Sequence, residues 1–80
     1  MIIKILGSGC KKCVALADNA KAAAQAEGID AEIQKVTDIV AIAGYGIMAT
    51  PGLVIDEKVV SSGRVLNASD ISKFLREARQ

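Results

Sequence analysis

The sequence contains no histidine and no tryptophan. Without imidazole there is no Ser-His or Cys-His nucleophile pair, and the commonest neutral metal ligand is missing. Aromatic residues make up 2% of the chain, a single Phe and a single Tyr. Apolar residues reach 51% all the same, so Ile, Val, Leu and Ala must build the core. No charge of one sign dominates: ten basic and nine acidic residues leave a net +1. A phosphate backbone demands a concentrated basic footprint, and its absence argues against nucleic acid as a partner. No stretch approaches the roughly 18 consecutive apolar residues of a membrane-spanning helix. Met1–Leu6 is too short for a signal-peptide core. The expectation is a cytoplasmic, monomeric protein without membrane insertion, organised as one domain over residues 1–80. A chain of this size buries only about 60–65% of its unfolded surface.

What is present is concentrated at two places. The only cysteines are Cys10 and Cys13, in Gly7-Ser8-Gly9-Cys10-Lys11-Lys12-Cys13. The motif stands where the apolar run Ile2-Ile3-Lys4-Ile5-Leu6 gives way to a helical pattern. Two thiols one helical turn apart can close a small disulfide without backbone movement. A sulfur at a helix N-terminus faces unpaired amides and the positive end of the dipole, which favour thiolate over thiol. In a reducing compartment such a pair is catalytic or metal-binding before it is a structural staple. The second place is Pro51, the only proline, which enters an apolar stretch where a missing amide is tolerated only at a strand start or edge.

Hydrophobic periodicity places these motifs on elements. Ile2–Leu6 has the β-branched character of a buried strand. Lys11–Glu27 is an Ala-rich helix with Cys13, Leu16, Ala20, Ala23 and Ala24 on one face, stopped by Gly28. Ile29–Val36 alternates as a half-exposed edge strand. Thr37 or Asp38 caps a short helix through Ala43, ended by Gly44. Leu53–Ile55 and Val59–Ser61 form a hairpin around Asp56-Glu57-Lys58, a turn without the usual glycine. Ser69-Asp70 caps a last helix with Ile71, Phe74, Leu75 and Ala78 on its apolar face. The order β-α-β-α-β-β-α predicts an α/β fold, a mixed four-stranded sheet with helices on both faces. Two β-α-β connections would set the first strands parallel, with the last two as an antiparallel hairpin. Gly63 is expected to permit a bulge or kink.

Together the strand, the CxxC at a helix start and the Thr50-Pro51 before a hairpin resemble the thioredoxin fold, at glutaredoxin size. The chain is similar to the small thioredoxin-like family called redox-active disulfide protein 2. The resemblance rests on Gly7–Cys13, Val36-Thr37-Asp38-Ile39, Tyr45–Pro51 and Val54–Val65, nearly the whole chain. It implies a cis Thr50-Pro51 bond beside the disulfide, Cys10 as the exposed nucleophile and Cys13 as the buried resolving thiol. It further implies a thiol-disulfide oxidoreductase without cofactor or metal. Gly9, Met48, Ala49, Thr50 and Pro51 would meet the substrate, a disulfide-containing protein or a small thiol, and a separate dithiol reductase would recycle the pair.

The Lys11 and Lys12 ammonium groups are expected to favour the Cys10 thiolate by at most about one pKa unit, since exposed charges are screened. Solubility alone would also account for them. Thioredoxins carry Trp-Cys-Gly-Pro-Cys and a buried acid six positions before the first Cys; this chain has Gly9 before Cys10, and Lys4 at the acid's position. Thr50, Gly63, Ser69 and Asp70 fall where glutaredoxins hold glutathione. Tyr45 either rims the groove beside Cys10 or packs behind the second helix, and packing is the expectation. Two rival classes remain: a soft-metal (copper or zinc) carrier, which two thiols without His serve poorly in one chain, and a non-catalytic binding domain of the same fold.

Overall fold

The computed structural model describes residues 1–78 and runs β1 (Ile2–Leu6), α1 (Lys11–Ala26), β2 (Glu32–Val36), α2 (Ile39–Gly44), β3 (Gly52–Ile55), β4 (Lys58–Ser62) and α3 (Ala68–Ala78). The sheet order is β2-β1-β3-β4, so the first strand is central. It pairs parallel with β2, Ile3 opposite Ile33, and antiparallel with β3, Ile3 opposite Ile55.

The fold class is as expected, with one correction to the topology. Only the β1-α1-β2 connection is a parallel crossover; β3 runs antiparallel to β1. Six-residue α2 is about 9 Å long, and residues 45–51 bring the chain back to the end of the sheet it had just left. Gly52 therefore starts opposite Leu6, and β3 must run the other way.

Strand alternation divides β1 between two layers. Ile3 and Ile5 join Leu16, Ala20 and Ala23 of α1, Leu53 and Ile55 of β3, and Ile71 and Leu75 of α3 in the larger core. Leu6 points to the other face, where it meets Val54 and Ile42 of α2, with Val36, Tyr45, Ile47 and Val59 around them. The alanines let α1 approach closely, offsetting the shortage of aromatics.

The element ends differ from expectation for local reasons. Helix α1 closes at Glu27 in a Schellman motif: Gly28, at φ +66°, donates to Gln25 O (3.2 Å) and Ile29 to Ala24 O (2.9 Å). That turn consumes Ile29, so β2 begins at Glu32. Asp38 caps α2 by accepting from Val40 N–H (3.2 Å), while the left-handed residue after that helix is Gly46 rather than Gly44. Asn67, not Ser69-Asp70, caps α3, its side-chain oxygen accepting from Asp70 N–H at 2.8 Å. The register shift of the β3-β4 pair falls between Leu53 and Val54, not at Gly63, which lies beyond β4.

The hairpin turn is Asp56-Glu57 alone, with Ile55 paired to Lys58. Both residues have positive φ, +48° and +68°, as a type I′ turn requires. Asp56 is tied to Ile2, giving its N–H to the Ile2 carbonyl and accepting the Ile2 N–H on Oδ1, both at 2.9 Å. Glu57 is held by an ion pair with Lys4 and by the Tyr45 hydroxyl (3.1 Å), while Lys4 Nζ also donates to that hydroxyl at 2.9 Å. Tyr45 thus packs behind α2 as expected.

These bonds push the Lys4 pKa up to about 12 from 10.5 and hold Glu57 below its ordinary 4.5, the Lys4–Glu57 hydrogen bond being the largest cause of both. A base with a raised folded-state pKa stabilises the fold fully below its unfolded value and loses that contribution as pH climbs through the folded one. Urea unfolding between pH 9 and 12 should show stability falling over the upper part of this range, and Lys4→Met should flatten that fall. Glu57→Ala loses the tether and keeps the positive φ, whereas Glu57→Gly relieves the backbone; thermal melts should place Glu57→Ala below Glu57→Gly.

Candidate active site

Sequence position alone puts Cys10 where its backbone is no longer helical and its side chain can serve as a cap. In the structure it is the N-cap of α1 (φ −67°, ψ 170°), its carbonyl accepting from Val14 N–H at 2.9 Å and its sulfur from Cys13 N–H at 3.3 Å. Cys10 is exposed; Cys13, one turn on, faces inward and is 4% exposed. Their Sγ atoms are 2.7 Å apart. The two sulfurs face one another across the first turn of α1.

The Cys10 thiol is held below its ordinary value of 9.0, first by the hydrogen bond from the Cys13 thiol and next by the Cys13 backbone N–H. Partial desolvation opposes them, and the amides of Lys12 and of Cys10 itself add smaller help. Lys12 therefore acts on the sulfur through its backbone; the ammonium groups of Lys11 and Lys12, both exposed, are not among the causes. The helix terminus acts on the sulfur as its place before α1 suggests, and the second thiol adds the largest share.

The second motif reaches the same spot. The Thr50-Pro51 peptide bond is cis. Pro51 is buried at the head of β3, and its carbonyl accepts from Gly63 N–H at 2.8 Å, anchoring the loop to the end of β4. The Thr50 backbone enters none of the hydrogen bonds among the described residues. Ala49 is exposed with Gly63 beneath it, and the Met48 side chain is 99% exposed, so Met48 fills no part of the core. The link between the two motifs is Gly7, whose Cα faces both Cys13 and Thr50.

Gly9 has φ +85° and open space around it, the reverse of Gly7. With Ile5, Val14, Lys35 and Thr37 it lines a cavity of about 20 Å³ against Cys13. A larger cavity, about 270 Å³, lies instead between the hairpin and α3, lined by Ile55, Lys58, Phe74 and Glu77 among others, and touches neither cysteine. Nothing in the sequence assigns Gly7, Lys35 or Thr37 a part in the site, although Gly7 and Thr37 fall in the blocks that carry the resemblance. Gly7 looks like turn punctuation there, and an exposed lysine on an edge strand carries no signal of its own. Ser69 and Asp70 lie in the first turn of α3, and Arg64 is exposed. Among the described residues no three His, Cys, Asp or Glu side chains gather as a metal site, and no helix is long and apolar enough to cross a membrane.

A family model described as a thioredoxin domain matches residues 1–76. The chain belongs to that family. A curated relative named thioredoxin from Methanocaldococcus jannaschii is 40% identical over 76 residues, covering 95% of this chain and 87% of the relative. Another, also named thioredoxin, from Methanothermobacter thermautotrophicus, is 40% identical over 75 residues, covering 94% and 97%. The chain also superposes on a solved structure described as a malarial protein, with TM-score 0.67 and 11% identity over 95% of this chain and 93% of that one. That likeness concerns the fold alone. In this thioredoxin-domain protein Lys4 takes the place of the buried acid, with its ammonium committed to Glu57 and Tyr45.

Cys13→Ala removes the largest cause of the low Cys10 pKa. The pH midpoint of Cys10 alkylation by iodoacetamide should then rise by about one unit or more, the worth of a hydrogen bond to a charged group. Lys11→Glu/Lys12→Glu should raise it by less, and the difference should shrink in high salt.

Proposed function

We propose that this protein is a thiol-disulfide oxidoreductase of the redox-active disulfide type, in which Cys10 attacks and Cys13 resolves. The observation that carries the reading is the pairing of an exposed, acidified thiol with a buried one 2.7 Å away at a helix N-terminus. The Cys10 thiolate attacks one sulfur of a substrate disulfide; a Cys10–substrate S–S bond forms, and the other substrate sulfur leaves as thiolate. Cys13, as thiolate, then attacks the Cys10 sulfur, releasing the second substrate thiolate and closing Cys10–Cys13. The substrate gains two electrons and the protein loses two, to be restored by a dithiol reductase. Such a cycle suits a reducing, cytoplasmic setting.

The substrate is a disulfide-containing protein or a small thiol disulfide. An extended peptide chain would pair with the free Thr50 backbone, strand to strand. Gly9 and Ala49 would leave room for that chain, and Met48 would offer an adaptable apolar contact. Pro51 adds no amide of its own to compete with the incoming strand. Lys11 and Lys12 would add a positive rim that favours acidic substrates and supports the thiolate modestly.

Trapping tests the assignment. Mixed with a disulfide-linked protein probe, Cys13→Ser should accumulate a mixed disulfide through Cys10, while Cys10→Ser should accumulate none. Capture through Cys13 in the Cys10→Ser variant would reverse the two parts, and capture by neither variant would remove the reading.

A further inference from the structure

Gly7 is buried at the end of β1, and its N–H is fixed to the Val36 carbonyl at 2.9 Å. Its φ lies outside the left-handed region, so the backbone there suits any L-residue. Space is what forbids a side chain: a Cβ on Gly7 would lie 2.4 Å from Cys13 Sγ, 3.5 Å from Cys13 Cβ and 3.8 Å from Thr50 Cβ. The first distance is far inside van der Waals contact. Gly7 cannot retreat while held to β2, and Cys13 is fixed in the first turn of a sixteen-residue helix packed on the sheet. The Cys13 sulfur is the atom free to yield, by rotation about its Cα–Cβ bond.

We propose that Gly7 is a positioning residue whose bare Cα seats the Cys13 sulfur against Cys10 and sets the gap between the dithiol and the Thr50-Pro51 loop. Any side chain at position 7 turns the Cys13 sulfur out of contact with Cys10. The Cys10 thiolate then loses the hydrogen bond that contributes most to its stabilisation. Cys13 also loses its place for attack on a Cys10-linked substrate, so ring closure slows even though both thiols are present. The inference rests on the exchange reading for its kinetic part, but the sulfur–sulfur contact it describes exists whether or not the protein turns over a substrate.

The test is a double-mutant cycle of Gly7→Ala with Cys13→Ala, read on Cys10. In the otherwise native chain, Gly7→Ala should raise the pH midpoint of Cys10 alkylation by about one unit. With glutathione disulfide as probe, the Cys10–glutathione mixed disulfide of Gly7→Ala should release glutathione at least about tenfold more slowly, a loss of effective concentration. In the Cys13→Ala background the sulfur is gone, the methyl has room, and Gly7→Ala should leave both the midpoint and the thermal midpoint unchanged. An unshifted alkylation midpoint in folded Gly7→Ala overturns the inference. So does a Gly7→Ala chain that still fails to fold when Cys13 is alanine, because the obstacle would then be something other than the sulfur. If the wild-type protein reduces no disulfide at all, the exchange reading falls, while the alkylation arm still decides the place of Gly7.

Discussion

Everything at the site hangs on β1 being bonded along both edges. Its register with β2 on one side and β3 on the other is continuous from Ile3 to Leu6. A strand held this way cannot slide, because a one-residue slip would send Ile3 and Ile5 out of the larger core and Lys4 into it. The next residue, Gly7, inherits that rigidity through its bond to Val36. From the end of β1 the chain turns through Ser8 and Gly9 into the helix that carries both sulfurs, and on its other side β3 starts beside Leu6 with Pro51 just before it. The two halves of the site are therefore placed by adjacent strands of one sheet, and little flexible chain intervenes.

Chemistry at the thiols follows from local geometry more than from charge. The Cys10 sulfur is surrounded by donors supplied by the first turn of α1 and by Cys13. Fixed donors keep their strength in salt, whereas the flanking lysines project into water where their fields are screened. Lys4 illustrates the same economy at the opposite face of the sheet. Its ammonium closes a small network with Tyr45 and Glu57 and fastens the hairpin turn to the end of α2.

The sequence made much of this visible, and unevenly so. Strand β1, the alanine helix, the hairpin strands and the amphipathic last helix follow from periodicity, which survives because each buries one definite face. The cysteine pair and Thr50-Pro51 were legible because few residue types do what they do. The direction of β3 was not: it depends on where residues 45–51 end in space, and no local pattern encodes that. Nor was the two-residue, left-handed form of the turn at Asp56-Glu57, where Lys4 and Tyr45, distant in sequence, hold the Glu57 side chain. Asn67 displaced Ser69 as a cap because an oxygen three residues ahead of Asp70 meets its amide. Gly7 and Gly9 look alike on paper and differ in kind, one needed for its shape and the other for its dihedral.

The alanine stripe of α1 has a mechanical side. Ala17, Ala20, Ala23 and Ala24 are buried against the sheet and α3, and a helix seated on methyl groups rides low. A stiff helix passes displacement along its length, and Ala24 stands roughly 21 Å from Cys10 at 1.5 Å per residue. A bulkier side chain at that far end would act as a shim under a lever and tilt the end that holds the sulfurs. The low seat of the helix that carries the reactive contact therefore depends on small side chains along its whole length.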